Sequence, residues 1–100
     1  MSNNFPATSV VVATVHELKC TPQYFRALES GVKPFEIRRD DRSFQRGDIL
    51  QLNEWDYNRS PVESMKYTGR SLIRRITYIL TNHDGLAPGF VILGLEAPQP

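Results

Sequence analysis

The chain is short of cysteine, histidine, clustered glycine, net charge and long apolar runs, and each shortage removes a class of function. With 100 residues it has room for one domain, whose folding hides little more than about 60% of the unfolded surface. Cys20 has no second cysteine to pair with, which excludes an internal disulfide and a thiolate-rich metal site. It reads as a small buried hydrophobe in a reducing compartment. The two histidines, His16 and His83, are too far apart in the chain for a local metal motif. The stretch HELKC at 16–20 starts like a zinc-protease helix but lacks the second histidine one turn on. A lone histidine at a strand end reads as hydrogen-bonded scaffold. The six glycines stand singly, so there is neither a phosphate-cradling loop nor a G-x-S-x-G nucleophile elbow. No metal and no cofactor is expected. The longest apolar run, Val10 to Val15, is strand-sized and broken by Thr14, far below the roughly 20 residues that span a bilayer, so no membrane partner is expected. The start MSNNFPATS lacks the basic and apolar regions of a secretory signal, and a cytoplasmic location follows by default.

A formal net charge of +1 gives no global positive field to attract nucleic acid. The distribution is less even. Nine of the twelve basic residues are arginines, and seven of those fall within Arg38 to Arg46 and Arg70 to Arg75. Arginine's planar fork suits phosphates and carboxylates, although Asp40, Asp41 and Asp48 are near enough in sequence to neutralise the first group in surface pairs.

Residues 1–8 read as a flexible arm, and residues 9–97 as a single domain. The β-branched stretch SVVVATVHEL predicts a buried strand. Thr21 followed by Pro22 predicts a helix start and Gly31 its stop, with Phe25 and Leu28, and Tyr24 and Leu28, spaced to share a face. After Pro34 the alternation places Phe35 and Ile37 on the core side and Glu36 and Arg38 opposite. Arg46-Gly47-Asp48 is a turn signal, and Ile49 to Tyr57 reads as a strand with Leu50 and Leu52 inward and Gln51, Asn53 and Trp55 opposite. Tyr67 to Arg70 reads as a turn into the strand SLIRRITYIL, where Leu72, Ile76, Tyr78 and Leu80 share a face. Gly89 to Leu95 closes the series. The pattern predicts an α+β fold: a small, closed or nearly closed β-barrel of five to six mostly antiparallel strands with one or two short helices.

Residues 31–38, GVKPFEIR, form a G-x-K-x-x-E-x-R pattern at a helix-to-strand junction. This pattern resembles the signature of the ASCH domains, relatives of the PUA domains of RNA-modifying proteins. The stretch HELKCTPQYFRALESGVKPFEIRRDDRSFQRGDILQLNEWD, then YTGR and GFVILGLE, is similar to a small bacterial and phage branch of that superfamily, over about residues 14–95. The resemblance implies a PUA-like barrel that binds RNA or a modified nucleoside, without catalysis, beside the motif. Some small ASCH members instead hydrolyse N4-acetylcytidine with a Lys, a Thr and a Glu. Lys33 matches their lysine, but Glu36 stands where they carry the threonine. An amidohydrolase with Lys33 as general base is therefore the alternative expectation, and a protein-binding adaptor presenting exposed arginines is a third. For the binding reading, Lys33, Glu36 and Arg38 would form a mixed-charge rim, Trp55 a stacking face, and Arg70 and Arg74 a grip on the phosphate backbone.

Overall fold

The computed structural model describes residues 12–98. The expected arm over residues 1–8 and the first residues of the expected opening strand lie outside them. In chain order the elements are β1 (Val15–Cys20), α1 (Pro22–Glu29), β2 (Phe35–Arg39), β3 (Ile49–Trp55), a 3-10 turn (Glu63–Lys66), β4 (Tyr67–Leu80) and β5 (Phe90–Glu96). The five strands make one curled sheet in the order β1-β3-β4-β5-β2, parallel between β1 and β3 and antiparallel elsewhere. A parallel pair cannot be joined by a tight turn, and α1 with β2 supplies the crossover. The result is a half-barrel with β1 and β2 as its two edges.

Period-2 burial fills the concave side. His16, Leu18 and Cys20 point in from β1; Leu50, Leu52 and Glu54 from β3; Ile76 from β4; Val91, Leu93 and Leu95 from β5. Phe25 and Leu28 of α1 join the same core. Thr21 occupies the N-cap with extended backbone, but its side chain makes no capping hydrogen bond, and its carbonyl accepts from Phe25 N at 2.8 Å. The helix stops as expected around Gly31, where Gly31 N donates to Leu28 O and Lys33 N to Ala27 O. That closing bond fixes Lys33 at the mouth of β2.

Three expectations are corrected. In β2 the alternation holds but its sense is reversed: Glu36 is buried at 4% exposure, while Phe35 and Ile37 are 38% and 51% exposed. The reversal is tolerated because Lys33 and Arg38 satisfy the carboxylate, while the exposed apolar pair forms one wall of an open cleft. In β4 the residues Tyr67 to Arg70 are strand, not turn; Gly69 sits at a φ of +92° inside it. The expected face of β4 also breaks, since a bulge between Ile76 and Tyr78 inserts one residue. Ile76 is buried, but beyond the bulge Ile79 turns to the core and Tyr78 is 62% exposed.

The turn before β3 is held from inside. Asp48, 5% exposed, accepts from Gln45 N at 2.9 Å and from Thr14 N at 3.2 Å, and His16 Nε2 lies 2.8 Å from its second oxygen. His16 also meets the Phe44 ring edge-on at 4.8 Å. Asp48 therefore does not neutralise the nearby arginines. Burial raises its pKa most, yet the bonds from His16, Gln45 and Thr14 together outweigh burial and hold it below the ordinary value. A depressed carboxylate stabilises the fold above its unfolded pKa and loses that contribution as pH falls through the folded one. Asp48→Asn is expected to cost roughly 3 kcal/mol in urea unfolding at neutral pH, with the gap to wild type closing in acid.

Candidate functional site

Glu36 enters the half-barrel from an edge strand, and an ionised carboxylate out of water needs partners. Lys33 Nζ lies 2.5 Å from its Oε1, and Arg38 Nε lies 2.8 Å from Oε2. Both oxygens are therefore engaged within the chain. Arg38 goes further: its Nη2 donates to the Lys19 carbonyl at 2.7 Å, across the gap between the two sheet edges. Arg42 Nη1 does the same to the Glu17 carbonyl at 2.9 Å. Two guanidinium groups, one from β2 and one from the loop after it, thus reach β1 where backbone pairing is missing, and they blunt the exposed acceptors of edge strand β1.

A cleft of about 560 Å³ opens along this seam, between the C-terminal end of β1, the start of α1 and the outer side of β2. Tyr24, Phe35, Ile37 and Phe90 give it apolar walls, and Cys20 and Thr21 form part of its lining. Lys19, Lys33, Arg38 and Arg39 are its four basic side chains against one acidic, Glu36. The cations sit on the rings: Lys33 Nζ is 4.5 Å from the Tyr24 centroid and 5.4 Å from that of Phe35, and Arg39 Cζ is 4.8 Å from that of Phe90. An apolar slot with excess positive charge at its rim suits a flat ligand that carries negative charge.

Of the residues singled out in the sequence, Lys33, Glu36 and Arg38 are brought together. Trp55 stands apart, with Lys19 and Lys66 ammonium groups 4.5 and 5.4 Å from its ring, both paired to Glu63. Its buried Nε1 has no hydrogen-bond partner among the described residues. Arg70 and Arg74 lie outside the cleft lining and tie α1 to β4, through Glu29 at 2.5 Å and the Leu28 carbonyl at 3.0 Å. Sequence reasoning missed Tyr24, Phe35, Phe90 and Arg39 as cleft walls. The available signal was three aromatics beside the motif and at the start of β5, which the core assignment absorbed. It also missed Glu54, buried and bonded by the Thr68 hydroxyl at 2.6 Å. Among the described residues no helix is long and apolar enough to cross a membrane, and no group of three His, Cys, Asp or Glu side chains is placed to hold a metal ion.

Cys20 reports on this interior. Burial first, and then the Glu36 charge, push its thiol up to about 11. It stays neutral at physiological pH, and because the folded pKa is raised, stability is lost as pH climbs from the unfolded value toward the folded one. Disulfide-exchange reagents are expected to label Cys20 at neutral pH only on unfolding. Fast labelling of the native protein would contradict the closed interior.

Comparison with known proteins gives the chain a family. A 76-residue segment is 37% identical to an uncharacterised 12.9 kDa protein in the GpA 3′ region of Escherichia phage P2; the match covers 76% of this chain and 63% of that protein's length. The family model described as a domain of unknown function, DUF3850, matches residues 15–95, from the first residue of β1 to the end of the β5 core. The protein belongs to the DUF3850 family.

Proposed function

We propose that the protein is a non-catalytic binding module of the ASCH, PUA-like type that holds RNA or a modified nucleoside in the Lys33 cleft. The observation that carries the proposal is the Lys33 ammonium, held against the Tyr24 ring by a buried carboxylate at the mouth of an aromatic-walled, cation-rich cleft. The half-barrel with one helix agrees with this reading only in its coarse, barrel-like architecture. In this proposal Glu36 does not accept from the ligand, because Lys33 and Arg38 already occupy its oxygens. It aims their remaining N–H groups. Lys33 has donors left for a phosphate or carbonyl oxygen, while Tyr24, Phe35 and Phe90 offer faces to a base. Glu36 stands where the hydrolases of that resemblance carry their threonine, and it is taken up by Lys33 and Arg38, so binding is favoured over amide hydrolysis.

Titration of the intact chain with cytidine monophosphate, N4-acetylcytidine and a short single-stranded RNA tests this. Binding that weakens with added salt and falls about tenfold in Lys33→Ala is expected. A folded protein that binds none of the three would overturn the reading and turn attention to a protein partner. Acetate release from N4-acetylcytidine that disappears in Lys33→Ala would replace it with the amidohydrolase.

A further inference from the structure

The outer side of the sheet carries a feature that the cleft does not use. Phe35 of β2 and Tyr78 of β4 both register with Gly94 of β5, so the three form one row across the sheet. The row faces outward, since Glu36 and Leu93 beside it are buried while Phe35 is 38% and Tyr78 62% exposed. Two strand spacings, roughly 10 Å, separate the two aromatic residues, and Gly94 contributes no side chain between them. A Cβ there would fit tightly, 3.1 Å from Thr77 Oγ1 and 3.4 Å from Tyr78 Cβ, because the β4 bulge leans against the glycine. The next row, Ile37, Ile92 and Leu80, is apolar, and beyond it the exposed Arg39 lies over Phe90. Among the described residues no carboxylate is within ion-pair distance of Arg39.

We infer that the ligand is a single-stranded nucleic acid longer than one nucleotide, with one base in the cleft and a neighbouring base on the outer sheet face over Gly94, between Phe35 and Tyr78. The inference rests on the binding reading above. Continuity supports it, because Phe35, Ile37, Arg39 and Phe90 line the cleft and also belong to this face, so a strand leaving the cleft passes directly onto it. Charge complementarity supports it too. Stacking is sequence-tolerant and needs only an open ring face, while Arg39 and Lys33 stand ready for the phosphates on either side. A second copy of the chain is a poorer occupant, since a two-fold interface on this face would set the cationic rim against itself.

The test compares the affinity of the whole protein for cytidine monophosphate and for tetranucleotides of RNA and of DNA. The tetranucleotides are expected to bind about tenfold more tightly than the mononucleotide. Tyr78→Ala should remove that gain and leave mononucleotide affinity unchanged, while Tyr78→Phe should retain it; Lys33→Ala should weaken both ligands. A preference for the RNA or the DNA arm would identify the source of the strand, and either preference supports the inference. Mononucleotide binding that depends on Lys33, combined with no gain from length or no effect of Tyr78→Ala on the tetranucleotide, would overturn this inference and leave the cleft reading standing. Absence of all nucleotide binding would overturn both. Self-association abolished by Tyr78→Ala in sedimentation would overturn this inference in favour of a second copy.

Discussion

A carboxylate carried into the half-barrel from an edge strand sets the terms for everything around it. Removing Glu36 from water costs several kcal/mol unless charged donors replace the lost hydration. Lys33 and Arg38 are those donors, and both come from the same short segment. Meeting that demand has two consequences. Arg38 is drawn across the seam to the Lys19 carbonyl, which ties the two sheet edges together. Lys33 is drawn onto the Tyr24 ring, which places a cation at the mouth of the cleft. An apolar residue at position 36 would fill the same space at similar or better stability. What it would not do is aim two cations at one slot.

Five of the seven clustered arginines act as internal staples, and two are left over. Arg38 and Arg42 span the seam, Arg70 and Arg74 bind α1 to β4, and Arg75 pairs with Glu96 at the end of β5. Backbone carbonyls at a sheet edge and at a helix C-terminus are the groups that lack partners in an open sheet, and guanidinium groups satisfy them well. Arg46 and Arg39 are the exceptions; Arg46 is exposed in the turn before β3, and Arg39 lies over Phe90 and faces outward. The positive character of the cleft therefore comes from Lys33 and Arg39 more than from the sheer number of arginines.

The strand order of the sequence, the helix between Pro22 and Gly31, the inward Leu50 and Leu52, and the grouping of Lys33 with Glu36 and Arg38 were legible because period-2 and capping signals are local. The sense of β2 was not. Alternation gives two faces but does not label them, and an apolar pair opposite a charged pair is assigned inward by default. In this fold the charged pair was satisfied from within five residues, and the apolar pair lined a cleft. The β4 face was lost for a different reason: one bulged residue at Thr77 reverses the parity of all that follows, and no residue type in RRITYIL marks it. The partners of Arg70 and Arg74 lie more than forty residues away in the chain, so no spacing rule could supply them.

The coupling between Glu36 and Arg38 measures the central claim most directly. Urea unfolding of the wild type, Glu36→Gln, Arg38→Gln and the double variant forms a closed cycle. A buried charge pair that organises both edges predicts a coupling free energy of about 2 kcal/mol, with the double variant less destabilised than the sum of the single ones. Additivity within about 0.5 kcal/mol would show that the two side chains act independently, and would contradict the account in which this carboxylate shapes the cleft.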